Sequence, residues 1–269
     1  DFDTLMKQVR EGGDPGRIAA ARLRKHFKER AITAFVALLR ESATRSEVRA
    51  TVARALGRLG DEFRRTRDKT EAAGALKLAL ADTDVEVRAA AAYALGKWKD
   101  EQAVGGLMEM LRKWQEGNEA RVEAARALGR IGSARAIRPL LETAKEEREK
   151  AVREMIPGFP GTKAKDISSL HRAMPLVLHA CYWALGESGG REALEFLLAQ
   201  HQTRQVTGKD AVLETLFVRQ VALTAAARIG GAQALAAAKA EAWEPPFDTY
   251  FDLLRLTRNF APEAAVPVL

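Results

Sequence analysis

One segment recurs along the chain and decides what it can fold into. It reads Glu47-Val-Arg-Ala-Thr-Val-Ala-Arg-Ala-Leu-Gly57-Arg-Leu-Gly60. It returns as Glu86-Val-Arg88 through Tyr93-Ala-Leu-Gly96, and as Arg121-Val-Glu-Ala-Ala-Arg-Ala-Leu-Gly129-Arg-Ile-Gly132. Weaker copies end at Trp183-Ala-Leu-Gly186-Glu-Ser-Gly189 and at Ala227-Arg-Ile-Gly230, and another begins at Asp14-Pro-Gly-Arg17. An Arg stands eight positions before the Gly or its equivalent at Arg17, Arg49, Arg88, Arg121 and Arg219; in the fourth full copy the place is taken by Leu178. Self-similarity of this kind marks a repeat architecture, in which each unit buries its apolar face only against its neighbours.

Each copy has the physics of a helix. Ala, Leu and Arg are strong helix formers, and the apolar positions recur at three- and four-residue spacing. Small residues such as Ala90, Ala91, Ala124 and Ala125 let neighbouring helices approach closely. The Gly after Ala-Leu and the second Gly three residues on are expected to end the helix in a sharp turn, and Asp14-Pro15 is the matching start signal. Between these B-helices lie A-helices, expected at 31–40, 72–81, 103–111, 136–144, 193–199 and 232–242, with residues 1–12 supplying the first. Residues 247–259 read as a degenerate last B-helix, and 264–269 as the opening of a further A-helix. The expected fold is all-α: an α-α superhelix, or α-solenoid, of about seven helix pairs at a ~33-residue spacing, forming one domain over residues 1–269.

Composition narrows the function classes. Hydrophobic residues make up 47% and charged residues 29%, as in a chain that packs rather than a disordered one. No apolar run is long enough to span a bilayer, so membrane insertion is not expected. The single cysteine, Cys181, forms no internal disulfide, and four scattered histidines make no metal site. His171, His179 and Cys181 read as a core cysteine with amphipathic neighbours rather than as ligands. Gly12-Gly-Asp-Pro-Gly16 is a turn before a helix, not a nucleotide fingerprint, and zinc-protease spacing, a phosphate loop and a nucleophile elbow are absent. No cofactor is implied. The formal charge of +7 is compatible with acidic partners. Residue 1 is Asp and the last residues stop inside an apolar run, so the chain reads as a piece of a longer protein. Arg- and Ala-rich usage points to a high-GC bacterium, and the lack of paired cysteines to the cytoplasm.

The pattern Val-Arg-x-x-Ala-Ala-x-Ala-Leu-Gly-x-Ile-Gly resembles the short HEAT repeats also called PBS-lyase HEAT-like repeats, most strongly across 46–145. The resemblance implies a convex wall of A-helices, a concave wall of B-helices, and a binding platform rather than an enzyme. The family often places an Asp before the B-helix Arg; Asp82, Asp84 and Arg88 match, whereas Ser46 and Leu178 depart. Among enzymes of related architecture, deoxyhypusine hydroxylase needs His-Glu pairs, and no His here is followed by Glu. Phycobilin lyases share the repeat motif, but nothing in the sequence identifies a bilin pocket. Alkylpurine DNA glycosylases are echoed by Tyr93, Trp183 and the arginines, without their having the Ala-Leu-Gly signature.

Four interruptions break the repeat, at 61–70, 113–119, 146–170 and 200–214. The last three fall between the A- and B-helix of consecutive repeats and are expected to share one edge. The longest begins with Glu-to-Lys and Glu-to-Arg i,i+4 pairs that extend its A-helix, then breaks at Pro157-Gly-Phe-Pro-Gly161. Its Phe159, Lys163 and Lys165 form either a recognition edge or part of a tolerated surface loop.

Helical phase places the residues three before and one after the signature Gly on one side, opposite the Ala-rich face. The first column is Arg22, Arg54, Tyr93, Arg126, Trp183 and Thr224; the second is His26, Arg58, Lys97, Arg130, Glu187 and Arg228. On the implied concave wall these make a mostly cationic groove with interleaved aromatics, or else a solvated helix face. The function expected is a non-catalytic scaffold or adaptor binding a partner protein with an acidic segment. A sequence-nonspecific nucleic-acid binder is the alternative.

Overall fold

The computed structural model describes residues 1–59, 67–113, 117–154, 176–202 and 221–241, and its regular elements there are all helical. The fold is all-α and of the α-solenoid class, and the chain divides into two compact units, Asp1–Ser133 and Ala134–Leu269. In the first unit the A-helices are α1 (Phe2–Glu11), α3 (Lys28–Arg40), α5 (Arg67–Ala79) and α7 (Val104–Arg112). The B-helices are α2 (Gly13–His26), α4 (Ser46–Leu59), α6 (Val85–Lys97) and α8 (Gly117–Ile131). Each A-helix packs on the B-helix that follows it, and the B-helices pack on one another in chain order. Between the two layers Phe35, Leu56, Leu76, Leu95, Leu107 and Leu128 are fully buried. The second unit holds α9 (Ile137–Glu154), α10 (Leu176–Ser188), α11 (Arg191–Gln202), α12 (221–229) and α13 (Ala232–Glu241). There α10 packs on α9 and α11.

The signature Gly has a different task from the expected one. Helices α4, α6, α8 and α10 run straight through Gly57, Gly96, Gly129 and Gly186, so this residue does not end the helix. It lets the next B-helix touch backbone to backbone. A Cβ on Gly57 would lie 2.8 Å from Ala94 Cα, one on Gly96 2.6 Å from Ala127 Cα, and one on Gly186 2.9 Å from the Ala225 carbonyl oxygen. The second Gly is the terminator. Gly132, Gly189 and Gly230 take φ of 74°, 71° and 84°, and their amides donate to the carbonyls of Leu128, Leu185 and Ala226 at 3.0–3.1 Å. After α6 the same turn is made by Lys99, the one non-glycine with positive φ among the described residues, at 51°.

At Arg49, Arg88 and Arg121 the Arg eight residues earlier ties its repeat to the end of an A-helix or to the turn that follows it. Arg49 forms a two-pronged pair with Asp82, Nε and Nη2 each 2.8 Å from a carboxylate oxygen, and also donates to the Thr44 carbonyl. Arg88 donates to the carbonyls of Asp82 and Thr83 at 2.7 and 2.9 Å. Arg121, buried on α8, donates from Nε to the Leu111 carbonyl at 2.9 Å. These guanidiniums satisfy carbonyls that a helix end or turn leaves without an internal partner. Burial pushes the Asp82 carboxyl up, but the Arg49 hydrogen bond, the Asp84 amide and the neighbouring guanidinium charges outweigh it and leave it below its ordinary value.

The interruptions are shorter than the sequence spacing suggests. Residues 67–70 belong to α5, 117–119 to α8, 146–154 to α9 and 200–202 to α11. Good helix formers there simply continue the flanking helices. Residues 247–259 and 264–269 lie outside the described residues.

Candidate functional site

The B-helices are buried almost all round, so the few side chains that escape burial define a face. Helix α6 buries Ala89–Ala92, Ala94 and Leu95, α4 buries Ala50, Val52, Ala53, Ala55 and Leu56, and α8 buries Val122, Ala124, Ala125, Ala127 and Leu128, leaving Thr51 and Glu123 half-buried. Over the last two turns of each helix, the residues of the predicted columns remain accessible: Arg54 and Arg58 on α4, Tyr93 and Lys97 on α6, Arg126 and Arg130 on α8. The i,i+4 spacing stacks each pair on one side of its helix. Arg22 is exposed on α2, which packs on α4.

Two contacts link these side chains across helices. Because Gly57 has no Cβ, the Tyr93 ring sits against α4, with Cδ1 3.1 Å from where that Cβ would be. On its other side the Arg130 guanidinium lies over the ring at 5.3 Å from the centroid. Tyr93 therefore bridges α4 and α8, and the stripe is continuous from Arg54 and Arg58 to Arg130.

The stripe is not uniformly cationic, however. Glu123, one turn earlier on α8, accepts from Arg126 at 2.8 Å and lies 3.8 Å from Arg130. One carboxylate thus serves two guanidiniums. Glu123 is a functional candidate that column counting passes over, although its position three before Arg126 and seven before Arg130 is the signal that finds it. By contrast Arg22, Arg54 and Arg58 form no ion pair or hydrogen bond among the described residues.

In the second unit, α10 leaves Trp183 half-buried, and Glu187 on the same helix side pairs with Arg228 of α12. Phe159, Lys163 and Lys165 lie outside the described residues. Cys181 is fully buried. Beside it the Tyr182 ring packs edge-on to Phe196 at 6.0 Å, and burial pushes its phenol well up. Among the described residues, no three of His, Cys, Asp and Glu come together as a metal site, and no helix is long and apolar enough to cross a membrane.

A second concavity, of about 480 Å³, opens between the ends of α5 and α7. Lys77, Arg88 and Lys113 line it together with Asp82 and Glu109. Asp82 is already held by Arg49, and Lys77 donates to Gln102 at 2.7 Å.

The family model for HEAT repeats matches residues 72–156. No curated protein matches the chain. Among solved structures, a chain of the CpcE–CpcF complex of phycocyanin lyase from Nostoc sp. PCC7120 is 22% identical, with a TM-score of 0.53, over 100% of this chain and 92% of that one. An engineered protein is 21% identical with a TM-score of 0.51, over 86% of this chain and 98% of that one. At these identities the likeness concerns the fold. The repeat match shows that residues 72–156 carry HEAT repeats, and the same Arg and Gly signature recurs in stacked helix pairs outside that segment.

Proposed function

We propose that this chain is a non-catalytic scaffold or adaptor that binds a partner protein through its B-helix stripe. Arg22, Arg54, Arg58, Tyr93, Lys97, Arg126 and Arg130 serve the first unit and Trp183 and Arg228 the second, while Phe159, Lys163 and Lys165 add an edge contact. The observation that carries this reading is the pair Arg54 and Arg58, which stand on one helix side without an ionic partner among the described residues, next to a half-buried tyrosine. Guanidinium groups stay charged near neutral pH and hold carboxylates in a two-pronged geometry. Arg and Tyr are also the side chains that dominate binding hot spots. A stripe of this chemistry is suited to capturing an acidic segment.

The test is charge reversal of Arg54, Arg58, Arg126 and Arg130 to Glu together, with partner capture compared against the wild-type chain. Loss of the captured protein with an unchanged helical circular-dichroism signal is expected. Capture retained by a folded variant contradicts the reading. A nucleic-acid partner is the second reading, favoured by Arg54 and Arg58, which have no ionic partner among the described residues; its mark is a steep fall of affinity with salt.

A further inference from the structure

Resting on the reading of the stripe as a protein-binding surface, we propose that the stripe is polar along its length: α4 is the open acid-binding end, and Glu123 partly neutralises the α8 end. The segment it accepts is an extended peptide with clustered carboxylates followed, about two residues on, by an apolar side chain seated at Tyr93.

The charges differ from helix to helix. On α4, Arg54 and Arg58 have no ionic partner among the described residues, so an arriving carboxylate meets two open guanidiniums one turn apart. On α8, Arg126 and Arg130 share the carboxylate of Glu123, at 2.8 and 3.8 Å. A ligand carboxylate arriving there must displace Glu123 or share its partners. Between them the half-buried Tyr93 offers apolar ring surface, held against α4 at Gly57 and flanked by Arg130.

The spacing fits an extended chain. Helices in Gly–Ala contact lie about 8 Å apart, and alternate side chains of an extended peptide are about 7 Å apart. A carboxylate over α4 therefore places the side chain two residues on over α6. The same features disfavour a nucleic acid. Glu123 presents a carboxylate where a phosphate backbone would continue, next to the arginines that would have to hold it.

The experiment is fluorescence anisotropy at low salt with labelled peptides GEEEEGLLG and GEEEEGGGG and a labelled oligothymidylate strand. The whole chain is compared with R54E/R58E, R126E/R130E and E123Q, each checked by circular dichroism. The leucine peptide is expected to bind the wild type more tightly than its glycine counterpart. R54E/R58E weakens it by about tenfold or more, and R126E/R130E by less than about threefold. E123Q, which releases Arg126 and Arg130 without changing side-chain shape, tightens binding by about two- to fivefold. If R54E/R58E fails to fold, R58E alone, at the exposed position, must reproduce most of the loss. Equal losses in the two double variants, or no tightening in E123Q, overturn the polarity and leave the scaffold reading standing. Failure of the wild type to bind either peptide overturns the acidic-segment reading and the polarity with it. Tighter binding of oligothymidylate with the same arginine dependence replaces a protein partner by a nucleic acid.

Discussion

At the scale of single residues, the repeat's arginine is a structural clamp and its charge is spent inside the fold. Arg49 and Asp82 are 12% and 13% exposed in their side chains, and the two-pronged pair joins one repeat to the next. Replacing Asp82 by Asn leaves Arg49 without its counter-charge and is expected to cost about 1–3 kcal/mol in urea denaturation. The pH dependence follows from the lowered carboxyl pKa. The folded state binds fewer protons than the unfolded one, so the stabilisation is complete above the unfolded value near 3.8 and disappears as pH falls through the lowered folded value. Stability measured from neutral pH into this acid range should therefore fall less steeply in the Asp82→Asn chain than in the wild type. At the αL turn after α6, Lys99→Gly is expected to stabilise by about 1 kcal/mol, because glycine takes positive φ without a Cβ penalty. The sequence exposed the arginine as a recurring letter. Its bonding partners were hidden, because they are backbone carbonyls and a carboxylate 33 positions away that only the stacked repeat brings near.

At the scale of elements, the helices and their accessible stripe were legible because both follow from one period. Apolar spacing fixes which side of α4, α6 and α8 is buried, and Arg54, Tyr93 and Arg126 fall on the remaining side. The glycine after Ala-Leu was misread as a terminator because local sequence cannot tell a helix end from a helix contact. The terminating role belongs to Gly132, Gly189 and Gly230, while Gly57 and Gly96 serve contacts with the next helix. This separates two kinds of glycine experimentally. Gly96→Ala drives a methyl into Ala127 and is expected to destabilise by about 2–3 kcal/mol. Gly74→Ala, inside α5 with nothing within 4 Å of the new methyl, is expected to stabilise by about 1 kcal/mol. Opposite signs in the two urea titrations support the packing role; destabilisation of similar size in both removes it. The helix boundaries near the interruptions were unevenly legible: the i,i+4 pairs from Glu146 signal the extended helix that α9 forms, whereas 67–70 carry good helix formers without a start signal.

At the scale of the whole molecule, the chain's +7 charge says less about binding than the distribution of that charge over the B-helices. Many cations are committed: Arg40 to Glu71, Arg49 to Asp82, Arg126 to Glu123 and Arg228 to Glu187. Among the described residues Arg54 and Arg58 have no ionic partner, and the proposed partner binds there, beside Tyr93. Column counting could not make this distinction, because it weighs an arginine beside Glu123 the same as one with no carboxylate near it. The most direct test is oxidative footprinting of the chain with and without bound acidic peptide, read residue by residue. Oxidation of Tyr93 is expected to fall on binding, while Leu78 on α5, 72% exposed, and Met108 on α7 react as before. Protection of Leu78 and Met108 with Tyr93 unchanged would contradict it and move the binding surface to the A-helices.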